Sequence, residues 1–225
     1  MFQPGCLALL VVFFFVFLLP FFFAQFMVAA LGRLGLSPPM ALLSLVGIIF
    51  GSMINIPLKH IPHDEEVSID PFRLYGFGPL FPRFHIRRTH TILAVNVGGC
   101  VVPCIIAIYE ALRIAARGPG PLFILVIITL ISVVVCYRIA RPLPGIGIAM
   151  PAFIPPLIAA ALSLILIPEM APPVAFVSGV LGPLIGADLL HLKELKQFAT
   201  GMASIGGAGT FDGIVLSGLI AAVLT

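Results

Sequence analysis

The sequence predicts an all-α polytopic membrane protein, a single domain over residues 1–225 built from a bundle of about seven transmembrane helices. Of its 225 residues, 60% are hydrophobic and 9% are charged, whereas soluble domains carry about 25% charged residues. Mean hydropathy is +1.21. Apolar runs of about twenty residues, each long enough to cross about 30 Å of hydrocarbon, follow one another along most of the chain. These observations exclude a water-soluble fold.

Seven apolar segments predict the helices in chain order. They cover about residues 6–32, 38–58, 91–112, 120–140, 150–168, 172–192 and 203–224. The first has no basic n-region and is too long for the apolar part of a signal peptide, so it is predicted as a helix. Around the start of the fifth, the run RPLPGIGIAMPAFIPP places five prolines among residues 142–156. Because proline cannot donate a backbone hydrogen bond, this stretch is predicted to be an irregular Pro/Gly-rich segment at membrane depth.

The distribution of Lys and Arg predicts the orientation, because cytoplasmic loops carry the excess of positive charge. Nine basic residues fall on one side: Lys59, Arg73, Arg83, Arg87, Arg88, Arg138, Arg141, Lys193 and Lys196. Three fall on the other: Arg33, Arg113 and Arg117. With seven spans, we expect a multi-pass cell-membrane protein with its N-terminus in the cytoplasm and its C-terminus outside. The +3 net charge follows from this bias and indicates no nucleic-acid partner.

The largest polar stretch is predicted as a cytoplasmic interfacial loop over residues 59–90. It contains four of the five histidines, and its aromatic residues alternate with arginines, a pattern typical of the headgroup zone. A transition-metal site would be possible if this loop folded back on itself. Its ligands would be His60, His63, Asp64, His85 and His90. Their spacing matches no compact ligand motif, so we expect a solvated loop, no metal and no cofactor.

Two aspartates within the last two predicted helices are the candidate functional residues. Ionisable groups at membrane depth are costly and therefore indicate function. Asp188 lies about four residues before the end of helix six, and Asp212 about nine residues into helix seven. Consecutive helices with a short connection are normally neighbours, so the two carboxylates can face one another. Glu110 and Glu169, by contrast, are expected at helix ends where a carboxylate reaches water.

Paired carboxylates in a low dielectric share a proton, and three functions follow from that property. In an aspartyl protease, one carboxylate activates water and the protonated partner polarises the scissile carbonyl. In a proton- or cation-coupled carrier, the pair binds and releases a charge. In a structural protein, the aspartates bond backbone amides of the glycine-rich run. His191, at i+3 from Asp188, could exchange a proton with it, but interfacial placement is the favoured explanation.

Two asparagines within the predicted spans are further candidates for contact with a substrate. Asn55 lies in MINIPL and Asn96 in VNVGG. An interhelical hydrogen bond is the other explanation for each of them.

Several runs resemble a family of prokaryotic polytopic membrane proteins of unknown function. They are INIPL, NVGG, GADLL and SIGGAGTFDGIVLSG, and the resemblance covers nearly the whole chain. It implies a membrane location and no mechanism.

A looser resemblance is to intramembrane aspartyl proteases of the presenilin and signal-peptide-peptidase type, which carry one aspartate on each of two adjacent helices. The run GTFD, which begins at Gly209, stands at their G-x-G-D motif, with Asp188 as the partner of Asp212. Pro151, Ala152 and Phe153 stand at their Pro-Ala-Leu element. Phe211 replaces the second glycine of the motif, and the Pro-Ala-Phe run precedes both aspartates. This resemblance implies proteolysis, with Gly209 and the Pro-Ala-Phe run near the substrate.

The predicted function is therefore intramembrane aspartyl proteolysis, with a small coupled carrier or a structural role as the alternatives. Membrane lipids are the expected partners, and transmembrane segments of other proteins would be the substrates. A homo-oligomer is the form expected of a carrier this small.

Overall fold

A computed structural model describes residues 10–69, 86–143, 147–193 and 202–225 of the protein. These ranges contain seven helices. Their bounds are Leu10–Arg33 (α1), Pro38–Gly51 (α2), Val97–Ala115 (α3), Pro119–Ile139 (α4), Ile154–Leu166 (α5), Pro168–Leu189 (α6) and Gly213–Leu224 (α7). Four of them, α1, α3, α4 and α6, are long and apolar enough to cross a membrane, and the other three are shorter apolar helices. The molecule is a helical membrane protein whose apolar helices contact lipid.

Each predicted apolar segment overlaps one of these helices, which confirms the predicted fold class. Three of the predicted boundaries are wrong. The second helix ends at Gly51 and not near residue 58, the third begins at Val97 and not near 91, and the last begins at Gly213 and not near 203. At each of these places the apolar residues continue into a β-strand, which hydropathy alone does not separate from a helix.

Five strands occur in the described ranges. They are Asn55–Ile69 (β1), Ile86–Asn96 (β2), Arg141–Leu143 (β3), Gly147–Ala149 (β4) and Met202–Ile205 (β5). One sheet has the order β1-β2-β5, and β3 pairs with β4 in a second. The β1 and β2 strands are antiparallel, with Asn55 opposite Asn96. The β2 and β5 strands are parallel, with Ile92 opposite Met202. The parallel pair brings the segment before α7 against the segment before α3.

Much of the stretch predicted as an interfacial loop, residues 59–90, is an antiparallel ribbon formed by β1 and β2. Its register shifts between Pro57 and Lys59, and again between Pro62 and Val67, as expected where proline removes a ladder donor. Residues 70–85, and the side chains of residues 61–90, lie outside the described part of the protein. The possible metal ligands His63, Asp64, His85 and His90 fall there. The cytoplasmic location of this stretch stays a prediction.

The packed centre of the bundle is the contact between α6 and α7. Every residue from Val174 to Val180 is buried. A β-carbon built on Gly179 would lie 2.8 Å from the carbonyl oxygen of Ser217, so the two helix backbones are in direct contact there. The predicted neighbours are therefore neighbours in the fold.

By contrast, α1 is attached to the bundle mainly through its second half. Its buried residues in the Leu19–Arg33 part are Met27, Ala30 and Leu31. The exposed side chains include four phenylalanines: Phe14, Phe15, Phe21 and Phe22. In a bilayer this apolar surface faces lipid.

Glu110 corrects one expectation, because it does not reach water. Its side chain is 1% exposed, and both of its carboxylate oxygens accept hydrogen bonds from Arg113 Nη1, at 2.9 and 3.0 Å. The same Nη1 donates to the carbonyl oxygen of Leu34 at 2.7 Å. The ion pair therefore ties the end of α3 to the turn between α1 and α2. Glu169, in contrast, is exposed, as expected.

Candidate functional site

Asp188 lies in the last turns of α6, where the helix changes its hydrogen-bond pattern. Residues Gly182–Leu189 form a π-helical segment, a type of irregularity that is frequent at functional sites. Gly186 lets this segment approach α4 closely, because a β-carbon there would lie 2.3 Å from the carbonyl oxygen of Val133. Asp188 itself is half-buried, and the backbone N–H of Gly206 hydrogen-bonds to its carboxylate.

Asp212 is the N-cap residue of α7. Its Oδ1 accepts a hydrogen bond from the N–H of Ile214 at 2.9 Å, and its Oδ2 accepts one from the N–H of Ala208 at 3.2 Å. A short 3-10 turn, Gly209–Phe211, leads into it. Since the carboxylate bonds backbone on both sides of itself, it is held in one orientation at the helix N-terminus.

The two carboxylates line the same two cavities. One cavity has a volume of about 400 Å³ and is also lined by the whole of β5, by Asn55 and by Leu192. The other has a volume of about 300 Å³ and is also lined by Ala152, Pro183 and Phe211. Ile148 and Ala208 border both cavities. The structure thus brings Asp188 and Asp212 together at the junction of two spaces.

The turn that carries Asp212 rests directly on the backbone at the start of α3. Gly206 has a φ of +71°, a conformation that favours glycine. Its partner is Gly99, where a β-carbon would lie 2.0 Å from the carbonyl oxygen of Gly206. Gly209, with a φ of +63°, packs on the side chain of Ser52 in the same way. Gly209 lines neither cavity, so in this fold it shapes the turn.

A polar network joins this turn to the ends of α2 and β2. The carboxamide of Asn96 is fully buried. Its Oδ1 accepts from the N–H of Gly99 at 2.7 Å, and its Nδ2 donates to the carbonyl oxygen of Ser52 at 2.8 Å and to Asn55 Oδ1 at 3.1 Å. Ser204 Oγ donates to the same Asn55 Oδ1 at 2.7 Å. Of the two predicted asparagines, Asn55 faces the larger cavity, whereas Asn96 is an internal support.

Three hydroxyl residues of this region were not among the predicted site residues: Ser52, Ser204 and Thr210. Ser52 Oγ donates to the carbonyl oxygen of Ile48 at 2.5 Å and lies 2.8 Å from Thr210 Oγ1. The hydroxyl group of Ser52 has one hydrogen, which it donates to Ile48, so in the bond between Ser52 and Thr210 the donor is Thr210. The sequence signal for Ser204 and Thr210 is their place in the glycine-rich run SIGGAGT, because Ser and Thr hydroxyl groups commonly form hydrogen bonds with the nearby backbone in such runs.

The Pro-Ala-Phe run reaches the site at one residue. Ala152 lines the smaller cavity beside both aspartates. Pro151 and Phe153 are exposed, Phe153 at 68%, and neither lines the two cavities.

The family described as "Protein of unknown function (DUF1614)" matches residues 49–224. The chain belongs to this DUF1614 family. No curated protein and no solved structure matches the chain. The presenilin-type resemblance therefore has no support from known proteins.

The DUF1614 match covers the candidate site and omits almost all of the chain before it. It begins near the end of α2 and ends at the last residue of α7. Both aspartates, the polar network and the Gly99–Gly206 contact lie within the matched residues, whereas α1 lies before them. The unit common to the DUF1614 family is therefore the part of the fold that builds the two cavities.

In this DUF1614 protein the Nδ1 of His191 is bonded to the end of α6 and not to Asp188. It is buried, and its Nδ1 lies 2.9 Å from the carbonyl oxygen of Ala187 and 3.1 Å from that of Gly186. Both partners are acceptors, so Nδ1 carries the hydrogen and donates it to the helix end. Among the described residues, no three His, Cys, Asp or Glu side chains are grouped to hold a metal ion.

Proposed function

We propose that the protein is an intramembrane aspartyl protease whose reacting groups are Asp188 and Asp212. The observation that carries this proposal is that both carboxylates line the same two cavities, on two neighbouring helix ends. Peptide hydrolysis needs a base and an acid within reach of one carbonyl group, and two adjacent carboxyl groups that share one proton supply both.

The hydrogen bonds suggest which carboxylate takes which role. Asp212 accepts backbone N–H groups at both of its oxygens and lies at a helix N-terminus, an arrangement that favours the ionised form. We therefore assign Asp212 as the general base and Asp188 as the general acid.

In the first step, Asp212 takes a proton from water while the water oxygen bonds to the scissile carbonyl carbon, and Asp188 gives its proton to the carbonyl oxygen. In the second step, Asp212 gives its proton to the nitrogen and Asp188 takes a proton from one hydroxyl group of the tetrahedral intermediate as the C–N bond breaks. A carboxylic acid and an amine are released, and both aspartates return to their starting states.

β5 supplies a surface for an extended substrate. β5 is an edge strand of the three-stranded sheet, and all four of its residues line the larger cavity with the aspartates. An extended peptide can add to such an edge through main-chain hydrogen bonds. A transmembrane segment that unwinds locally would present its backbone in that form.

A coupled carrier is the second candidate, and a different observation favours it. Asp188, Asp212, Ile148 and Ala208 border both cavities, so the carboxylates lie between two spaces. A proton or cation bound at the pair would be released to one space or the other during alternating access. The third candidate, a structural role, is supported by the capping bonds of Asp212 at the start of α7.

The orientation belongs to the same proposal. We infer a cytoplasmic N-terminus, an external C-terminus and a cytoplasmic 59–90 stretch from the distribution of Lys and Arg.

The deciding experiment uses purified protein in lipid nanodiscs with a panel of single-span peptides, and mass spectrometry to detect new chain ends. We expect cleavage by the parent protein and none by D188N or D212N. The matched control is E169Q, which removes a carboxylate at an exposed position and should cleave as the parent does. If the parent protein cleaves none of the peptides, and liposomes that contain it take up a cation or protons in a way that depends on the aspartates, the carrier is favoured.

A further inference from the structure

The larger cavity is lined by a hydrogen-bond donor as well as by the aspartates, the side-chain amide of Asn55. Asn55 lines this cavity with Asp188 and Asp212. Its Oδ1 accepts two hydrogen bonds, from Asn96 Nδ2 at 3.1 Å and from Ser204 Oγ at 2.7 Å.

The orientation of this amide follows from the bonds around it. Asn96 accepts a hydrogen bond from the Gly99 N–H, which only its oxygen can do, so the other end of Asn96 is the NH2 group. That group donates to Asn55, and the atom of Asn55 that receives it must be the oxygen. Ser204 donates to the same oxygen. The oxygen is thus occupied by two donors, and the NH2 group of Asn55 has no acceptor among the described residues.

We propose that this NH2 group of Asn55 binds a main-chain carbonyl oxygen of the peptide in the larger cavity, next to the scissile bond. The proposal rests on the proposed proteolysis. A neutral carbonyl fits better than an anion, because an anion would be repelled by the ionised member of the aspartate pair. In an extended chain successive carbonyls point to opposite sides. One carbonyl can then face the aspartates while its neighbour faces Asn55.

The network makes Asn55 a rigid donor. Asn96 is buried and uses its oxygen and both hydrogens on Gly99, Ser52 and Asn55. Ser204 belongs to β5, the strand that borders the cavity, so the donor and the strand edge are fixed to each other. Such preorganisation lowers the entropy lost when a substrate binds.

The test measures binding of a peptide in which a hydroxyl-bearing tetrahedral carbon replaces the scissile carbonyl. The informative variant is N55D. It has nearly the shape of the parent side chain and keeps an acceptor for Asn96 and Ser204, but it lacks the NH2 donor. We expect its affinity at neutral pH to be roughly tenfold or more weaker than that of the parent. As the pH falls and the introduced carboxyl group gains a proton, it again becomes a donor, so the ratio of the two affinities should move back toward one.

E169Q is the matched control, since it replaces a carboxylate by an amide at an exposed position outside both cavities. Its affinity should equal that of the parent. Thermal unfolding shows whether each variant is folded, and N55A replaces N55D if the latter does not fold, with at least the same loss expected.

The outcomes separate the two proposals. Equal affinity of N55D and the parent, or a loss that does not recover at low pH, would overturn the role of Asn55 and leave the protease proposal standing. A parent protein that does not bind the peptide at all would overturn the proposed proteolysis itself.

Discussion

Phe23 of α1 packs on Phe211, the residue directly before Asp212, with their ring centroids 4.9 Å apart. Phe211 also lines the smaller cavity, and Phe23 stacks on Phe26 one turn later at 6.2 Å. Through this contact, α1 reaches the turn that carries the aspartate, although most of its own surface faces lipid. A helix outside the family-matched residues therefore supports the candidate site from the side.

Substitution of Phe23 should weaken the site without unfolding the protein. F23A removes one ring and with it the contact to Phe211, and an aromatic pair of this kind is worth about 0.5–1.5 kcal/mol. We therefore expect a small drop in the thermal unfolding temperature and a severalfold drop in cleavage rate. The matched control is F22A, whose side chain is 61% exposed and does not touch the turn. If F23A and F22A change the cleavage rate equally, the Phe23–Phe211 contact does not contribute to cleavage.

The paired aspartates should act as one unit. If Asp188 and Asp212 perform hydrolysis, D188N and D212N each remove half of an acid/base pair, and each should lose nearly all turnover. The double variant should be hardly worse than either single variant, which single-turnover cleavage rates would measure. Losses that multiply would instead indicate two independent ligands, as in a carrier.

Each Asp→Asn change should cost little stability. D188N replaces a protonated carboxyl group by an amide of nearly the same shape, and D212N removes a half-buried charge at the cost of the bond from the Ala208 N–H. Unfolding of both variants would favour the structural role.

The contact between Gly99 and Gly206 should tolerate no side chain. In G99A the new β-carbon would meet the carbonyl oxygen of Gly206 at 2.0 Å, so the turn or α3 must move, at a cost of about 1–3 kcal/mol or more. The control is G120A in α4, where a β-carbon would meet nothing within 4 Å. At that helical position alanine should stabilise by up to about 1 kcal/mol. Denaturation in detergent would compare the two, and a G99A protein as stable as the parent would contradict the described packing.

Arg113 should matter more than its exposed position suggests. R113A leaves the buried Glu110 carboxylate without its ion-pair partner. We expect a loss of about 1–3 kcal/mol, moderated because Arg113 is 40% exposed. Adding E110Q to R113A should recover part of this loss, since it removes the buried charge. A double variant less stable than R113A would show that Glu110 serves something other than this pair.

The proposed orientation can be tested on the 59–90 stretch. A cysteine placed by S68C should react with a membrane-impermeant maleimide only after the cells are opened. The parent protein, treated in parallel, gives the background from its own four cysteines. Labelling of S68C in intact cells would place this stretch outside and reverse the orientation.

Hydropathy was enough to predict the helices, because each apolar segment must satisfy its backbone within itself in lipid. It was not enough for the strands. The last residues of β2, 91–96, and the strand β5 are largely apolar and adjoin helices, and they pair although about half of the chain separates them, with Ile92 opposite Met202. No local period reveals such a pairing, so hydropathy predicts a helix at both places.

The aspartate pair was predictable for a related physical reason. Carboxylates at membrane depth are rare, and consecutive helices are commonly neighbours. The connection between α6 and α7, residues 190–212, is longer than the sequence predicts, because it contains β5. The network of Asn55, Asn96 and Ser204 was predictable only in part. An asparagine within an apolar segment indicates a buried polar contact. That Asn55 and not Asn96 faces a cavity depends on Ser204, which lies far along the chain. The prediction that Pro151 and Phe153 lie near the substrate rests on resemblance to a motif, and such a resemblance does not determine the direction of a side chain.

The hydrogen bond between Thr210 and Ser52 joins residues 158 positions apart, and this has a consequence for biosynthesis. The ribosome releases Ser52, Asn55 and Asn96 long before it makes Ser204 and Thr210. Until then the polar groups of the early residues have none of their late partners, and Asp188 has no companion carboxylate. The candidate site is therefore completed only when the last helix enters the bundle, so a nascent or prematurely ended chain has no aspartate pair.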